Sequence, residues 1–247
     1  MMRKSRLIAR LDIKSSNLIK SIHLEGLRIV GDPNTFAKQY YKDGIDELIF
    51  MDCVATLYGR NNLSDIIKKV TKDIFVPITV GGGIRSLKDA RNVLNCGADK
   101  VAVNTQAVTN PKFISELANI IGSQSVVLSI EAKRRKSNSW EAYTSNGRDP
   151  TGLDVFEWIK KSVDLGAGEI LLTSIDKEGT RKGFDLELMR LASQITDIPI
   201  IASGGLGSIN HLAEVIDIGK IDAVAIADAI HYKRISVKEL KNTITKF

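Results

Sequence analysis

The chain has 247 residues, of which 43% are hydrophobic and 26% are charged, and it contains no apolar run long enough to span a bilayer. This composition excludes a disordered or membrane-spanning chain and is typical of a soluble protein with one large α/β domain or two small ones. The formal net charge of +6 comes from basic residues spread along the chain rather than interleaved with aromatics, so we expect an anionic small molecule and no nucleic acid as ligand.

The N-terminal stretch MMRKSRLIARLDIKSS is basic, but Arg10 and Asp12 interrupt its short apolar run. It predicts neither a signal peptide nor contact with a membrane, and we expect a cytoplasmic protein. The two cysteines, Cys53 and Cys96, form no spaced set for a metal or a disulfide framework, and we expect no metal and no cofactor. The basic run KRRKSNS at 133–139 is interpreted as a solvated loop after a strand.

Short β-branched runs alternate along the chain with longer amphipathic stretches, a pattern that indicates βα units around a parallel sheet. Eight runs are predicted as strands: RLIARLDI, DELIFMD, VPITVGG, KVAVNT, SVVLSIE, EILLTSID, IPIIASGG and DAVAIAD. Eight units in about 250 residues favour a (β/α)8 TIM barrel. A doubly wound sheet would need a glycine fingerprint after its first strand, where this chain has SSNLIK.

Nearly the same turn occurs twice, as TVGGGIRS at 79–86 and as IASGGLGS at 201–208. The similarity continues outside the turns, because DELIFMD resembles GEILLTSID and ADKVAVNT resembles IDAVAIAD. The first and fifth strands both end in a carboxylate. We therefore expect one barrel domain over 1–247, built from two similar half-barrels at about 1–122 and 123–247.

Glycine pairs at the ends of strands let the main chain approach an anion closely. Two such cradles on one barrel face, with Asp12 and Glu131 between them, predict an elongated ligand with an anionic group at each end and acid–base chemistry in its middle. Simpler interpretations are that the glycines are only turns, that Asp12 caps a helix or forms a salt bridge, and that Lys20 is a solvated loop lysine.

Several segments together resemble HisF, the synthase (cyclase) subunit family of imidazole glycerol phosphate synthase: LDIKSSNLIK, GDP at 31–33, TVGGGIRSLKDAR, GADKVAVNT, GAGEILLTSIDKEGT and IPIIASGG. The resemblance covers essentially the whole chain. It implies a lyase of histidine biosynthesis that receives ammonia through the barrel from a HisH-like glutaminase, a separate subunit of the complex. The implied reaction cleaves and cyclises a ribulosyl aminoimidazole carboxamide ribotide with two phosphates, which yields imidazole glycerol phosphate and AICAR.

The resemblance also implies roles for individual residues. Its catalytic positions fall on Asp12, Glu131 and Lys20. Its phosphate-binding positions fall on Gly82, Gly83, Asn104, Thr105, Asp176, Gly179, Thr180, Ser203, Gly204, Gly205 and Asp228. Its ammonia gate falls on Arg6, Glu47, Lys100 and Glu169, and its glutaminase contacts fall on Asp99 and Gln124.

Three positions depart from the family pattern. Glu131 replaces an aspartate, Asp228 replaces a serine in the second cradle, and Arg10 replaces a small residue. A carboxylate aimed at a phosphate repels it, unless Asp228 turns outward and caps a helix. These departures favour an alternative in which a HisF-like chain channels ammonia for acetamidino modification of a surface-polysaccharide sugar, without cyclase activity of its own.

The chain lacks its own machinery for glutamine hydrolysis, since its three histidines match no cysteine in a nucleophile turn. A glutaminase partner is therefore expected from chemistry as well as from resemblance. A single-subunit isomerase built on the same two-phosphate scaffold is a third alternative, against which the charged gate residues argue.

Overall fold

All eight predicted β-branched runs form strands in a computed structural model of the chain, which describes residues 5–55, 63–218 and 220–245. The strands are β1 (Arg6–Lys14), β2 (Asn17–Ile22), β3 (Glu25–Gly31), β4 (Glu47–Asp52), β5 (Ile78–Gly81), β6 (Lys100–Val103), β7 (Val126–Lys136), β8 (Ser139–Thr144), β9 (Asp149–Asp154), β10 (Glu169–Ser174), β11 (Ile200–Ser203) and β12 (Ala223–Ile226). Eight of them are parallel and follow the order β1, β4, β5, β6, β7, β10, β11, β12, with β12 pairing β1 again. The predicted (β/α)8 barrel is confirmed.

Helices follow the barrel strands and cover their outer side. Within the described residues they are α1 (Pro33–Lys42), α2 (Ser64–Val70), α3 (Leu87–Asn95), α4 (Thr105–Thr109), α5 (Lys112–Ile121), α6 (Val155–Asp164), α7 (Leu186–Ile195), α8 (Ile209–Asp217), α9 (Asp228–His231) and α10 (Val237–Ile244). No helix among these is long and apolar enough to cross a membrane.

Successive side chains of a barrel strand point to opposite faces, so the hydrophobic core has an outer part, between strands and helices, and an inner part, inside the barrel. In β1, Leu7, Ala9, Leu11 and Ile13 pack outward against the helices, while Ile8 belongs to a separate inner cluster. The other members of the inner cluster are Ile49, Met51, Ala102, Val127, Leu171, Ile201, Ala223 and Ala225. The middle of the barrel is therefore mainly apolar.

Two hairpins extend the barrel at positions that the sequence predicts as loops. Strand β1 continues into antiparallel β2 and β3, and β7 continues into antiparallel β8 and β9. The expected loop at 133–139 is wrong for most of its length, because Arg134 pairs in register with Trp140 and its guanidinium lies 4.3 Å from that ring. Lys20, expected in a loop, lies in β2.

The halves of the barrel also match in backbone conformation. Ser86 caps α3 with φ −142° and ψ 161°, and Ser208 caps α8 with φ −149° and ψ 165°. Asn104 and Ala227 precede α4 and α9 with φ near −135° and −138°. These matches support the division into half-barrels at about 1–122 and 123–247, which stays a prediction.

Candidate active site

Four charged side chains close the N-terminal end of the barrel. The Arg6 guanidinium contacts Glu47 Oε1 and Glu169 Oε1, each at 2.5 Å, and Lys100 Nζ lies 2.7 Å from Glu169 Oε2 and 3.5 Å from Glu47 Oε2. Each carboxylate thus touches both cations, which offsets the cost of partial burial. The predicted gate residues form an alternating ring of zero net charge.

Outside this ring lies a cavity of about 610 Å³. Its lining includes three ring members and both predicted glutaminase contacts, Asp99 and Gln124. Asp99 also accepts the backbone N–H of Ile78 at 2.8 Å, so its carboxylate holds the start of β5. The ring therefore faces a broad concave surface.

The first glycine pair lies at the opposite, C-terminal end of the barrel. Gly82 and Gly83 have φ of +87° and +71°, and a Cβ on Gly82 would come within 2.2 Å of the Asp52 carbonyl oxygen. Together with Asn104, Thr105 and Glu131 they line a cavity of about 140 Å³. The predicted first-cradle residues are thus brought together.

Glu131 projects into this cavity from β7. Its Oε2 accepts the N–H of Gly147 at 2.7 Å and the Asn104 amide at 3.1 Å. Burial, together with the charge of Asp12, outweighs these bonds and the charge of Arg10, and raises the pKa of Glu131 to about 7. Both forms of this carboxyl are therefore populated near neutral pH.

Asp12 lies two residues before the end of β1 and is 2% exposed. Its Oδ1 accepts the Arg10 Nε–H at 2.8 Å, so the salt bridge weighed from the sequence is present. Burial favours the neutral acid, but the charges of Arg10 and Lys20 outweigh it and hold the pKa of Asp12 below its usual value. Its Oδ2 is buried and has no hydrogen-bond partner among the described residues.

The second glycine pair lines a much smaller cavity, of about 20 Å³. Gly179, Ser203, Gly204, Gly205 and Asp228 all contribute to it. Such a volume holds roughly one water molecule. The two cradles are therefore alike in backbone and different in free space.

Lys20 and Glu178 both line that cavity. Their side chains form an ion pair and are 4% and 6% exposed. Glu178 Oε2 would lie 3.3 Å from a Cβ placed on Gly204. Burial disfavours the ammonium, but Glu178 and Asp12 outweigh it and raise the pKa of Lys20. A buried ion pair therefore forms part of the wall of the second cradle.

Asp228 does not cap a helix. Its Oδ1 lies 3.3 Å from Arg234 Nε and 3.9 Å from Arg181 Nε, and its side chain is 14% exposed. Two guanidinium groups therefore oppose the repulsion expected between this carboxylate and a phosphate.

The chain is similar to known proteins over most of its length. A profile of the histidine biosynthesis protein family matches residues 6–236. An imidazole glycerol phosphate synthase subunit HisF from Legionella pneumophila is 62% identical over 206 residues, which cover 83% of this chain and 97% of that protein. HisF subunits from Streptococcus mutans and Streptococcus sanguinis are 44% identical over 243 residues, which cover 98% of this chain and 97% and 96% of theirs. The chain belongs to the HisF family.

The residues assigned by the HisF resemblance lie in groups at opposite ends of the barrel, and two of those assigned to phosphate binding do not line the second cavity. Asp176 accepts the backbone N–H of Arg134 at 2.8 Å, and the Thr180 hydroxyl donates to the Lys177 carbonyl at 2.7 Å. Both therefore shape the loop after β10 in this structure. All of the assigned roles, including phosphate binding by these two residues, stay predictions.

Sequence reasoning missed three charged residues of this HisF-family site. Glu178, Arg181 and Arg234 are the partners of Lys20 and Asp228. The charged run DKEGTRK at 176–182 was the available signal for two of them, but their partners are distant in sequence. The described residues contain no cluster of three or more metal-ligating side chains.

Proposed function

We propose that the chain is the cyclase subunit of an imidazole glycerol phosphate synthase, which uses ammonia from a HisH-type glutaminase to cleave and cyclise a ribotide bisphosphate. The observation that carries this proposal is that one barrel joins a charged ring at its N-terminal end to two buried carboxylates at its C-terminal end. An anionic small molecule is the substrate; no nucleic acid or membrane takes part. A cytoplasmic location stays a prediction.

Asp12 and Glu131 are suited to opposite roles, one as proton acceptor and the other as proton donor. Asp12 is held ionised and can accept a proton through Oδ2, whereas Glu131 with a pKa of about 7 can donate one. Environments that separate the pKa values of two neighbouring acids are the usual basis of such a division of roles. Ring closure with ammonia needs both a proton acceptor and a proton donor.

The phosphate ends of the substrate would lie in the two cradles. The first offers about 140 Å³ beside Gly82 and Gly83. For the second, Lys20 must leave Glu178 and pair with the phosphate instead. Four cations surround that cradle against three carboxylates: Arg10, Lys20, Arg181 and Arg234 against Asp12, Glu178 and Asp228. This balance supports retention of a dianion site despite Asp228.

The longer side chain of Glu131 is also accommodated. The hairpin after β7 places the Gly147 N–H 2.7 Å from its carboxylate, which fixes the position of the carboxyl group. The departures that favoured a sugar-modifying alternative therefore have a local explanation. None of the three relatives reported above carries a sugar-modifying name, so that alternative receives no support.

The glutaminase would dock on the face around the 610 Å³ cavity. Phe75 precedes Pro77 of the cavity lining by two residues, its side chain is 79% exposed, and its ring centroid lies 6.5 Å from that of Tyr41. An exposed aromatic beside a polar rim is typical of an interface anchor. Sequence reasoning did not single out Phe75.

Ammonia-dependent turnover of the bisphosphate tests the proposal without the partner. The purified chain with ammonium salt at alkaline pH is expected to form imidazole glycerol phosphate, and Asp12→Asn and Glu131→Gln are each expected to lower kcat by about 100-fold or more. Glu157→Gln, on the exposed side of α6, is the matched control. A folded chain that binds the bisphosphate and gives no product would refute the cyclase function.

A further inference from the structure

Arg10 is a fully charged side chain inside the barrel, 3% exposed, at a position where the strand pattern points to the interior. Burying a guanidinium is costly unless its donors are all used in good geometry. The described contacts show where Nε and Nη1 donate.

Arg10 connects three strands. Its Nε donates to Asp12 Oδ1 at 2.8 Å on β1, and its Nη1 donates to Thr173 Oγ1 at 2.9 Å on β10 and to Ser203 Oγ at 3.3 Å on β11. Thr173 and Ser203 are themselves buried and paired in register. The guanidinium is thus anchored on β10 and β11, and its Nε holds the Asp12 carboxylate on β1.

The two carboxylate oxygens of Asp12 therefore differ in their hydrogen bonding. Oδ1 is held by Arg10, while Oδ2 is buried without a hydrogen-bond partner among the residues described. An orphaned carboxylate oxygen costs free energy in the free protein, unless a ligand supplies the donor. Positioned, unsatisfied acceptors are expected where a proton is to be taken up.

We propose that Arg10 is a positioning residue for the cyclase reaction, which anchors Asp12 Oδ1 to β10 and β11 and thereby aims Oδ2 at the substrate. This inference rests on the proposed function. Arg10 touches the catalytic carboxylate and also lines the second cradle beside Gly204 and Gly205. It therefore sets the distance between the proton acceptor and one end of the substrate.

Arg10 also contributes charge, so the test must separate charge from position. Asp12 interacts electrostatically with groups on several elements: Arg10 on β1, Lys20 on β2, Cys53 after β4, Glu131 on β7 and His231 on α9. Glu178, from the loop after β10, faces Arg10 and Lys20. Lys20 remains in every variant below and continues to favour the ionised form of Asp12.

Three variants distinguish the effect of the Arg10 charge from the effect of its hydrogen bonds on the position of Asp12. Arg10→Gln removes the charge and the anchor, Arg10→Lys keeps the charge and loses the planar fork, and Thr173→Val removes one anchor only. All three are expected to lower ammonia-dependent kcat, with Arg10→Gln about 100-fold below the wild type, since a displacement of about 1 Å can cost that much. Lys160→Gln, which breaks an exposed pair with Glu157, is the control.

A double-mutant cycle and a titration of the Asp12 carboxyl test whether Arg10 acts through Asp12. If Arg10 acts through Asp12, Arg10→Gln adds less than about threefold to the kcat loss in an Asp12→Asn background. Carbon-13 NMR of the Asp12 carboxyl is expected to show a raised pKa in Arg10→Gln and an unchanged pKa in Thr173→Val.

Additive kcat losses in the cycle, or an Asp12 titration that Arg10→Gln leaves unchanged, would overturn the inference. Should Arg10→Gln fail to fold, wild-type kcat in both Arg10→Lys and Thr173→Val would overturn it as well. Absence of turnover in the wild type would instead refute the cyclase function, and the NMR titration would still report whether Arg10 holds Asp12.

Discussion

Replacing Glu131 with glutamine tests whether this buried carboxyl is held partly neutral. The amide has nearly the same shape as the protonated acid, and its oxygen can accept the same N–H groups from Gly147 and Asn104. Glu131→Gln therefore removes the titration while it preserves most of the packing. The free energy of unfolding should then respond differently to pH in the two proteins.

The expected size follows from the raised pKa. The Glu131 pKa lies at about 7 in the folded protein against an ordinary value of 4.5. Between these values the folded state holds a proton that the unfolded state has lost, so stability falls as pH rises from 4.5 to about 7 and is level above that. One pKa unit corresponds to about 1.4 kcal/mol. Between pH 4.5 and about 7 the free energy of unfolding of the wild type should therefore fall by about 3 kcal/mol through this group, and that of Glu131→Gln should not.

Urea unfolding at pH 4.5 and pH 8 measures this difference. Other groups titrate in both proteins, so the quantity compared is the stability of Glu131→Gln minus that of the wild type at each pH. We expect this difference to increase by about 3 kcal/mol from pH 4.5 to pH 8, and the corresponding difference for Glu157→Gln to stay within about 0.5 kcal/mol. A difference for Glu131→Gln that is independent of pH would refute the reasoning.

Three further substitutions test the cradle, the gate and the docking face. Gly82→Ala should abolish measurable phosphate binding in a calorimetric titration, because its Cβ would lie 2.2 Å from the Asp52 carbonyl, whereas Gly26→Ala, with positive φ but open space, should retain it. Lys100→Met should lower glutamine-driven turnover about tenfold relative to ammonium-driven turnover, since an opened ring leaks ammonia; equal effects on both activities would exclude a gating role. Phe75→Ser should weaken glutaminase association about tenfold in surface plasmon resonance, and an unchanged Kd would place Phe75 outside the interface.

The β/α alternation, the eight-stranded barrel and the glycine cradles could be predicted from local patterns. Strand β1 alternates outward apolar residues with inward residues, and that period is visible in the sequence. Gly82 and Gly204 need positive φ, which is a property of the local turn. The hairpins after β1 and β7 were missed because polar residues, glycine and proline interrupt the apolar pattern of their strands, and their pairing depends on neighbours rather than on propensity.

The protonation states and ion pairs of the site could not be predicted from local sequence patterns. The sequence determined which residue types are present: Asp12 and Glu131 at strand ends, and four charges at the opposite strand starts. Only the tertiary structure decided that Arg10 holds Asp12 ionised, that burial raises the pKa of Glu131, and that Lys20 pairs with Glu178. Lys20 and Glu178 are 158 residues apart, so their contact exists only because the closed barrel brings the loop after β10 against β2. Electrostatic interactions depend on distance and burial, and neither can be read from the order of residues along the chain.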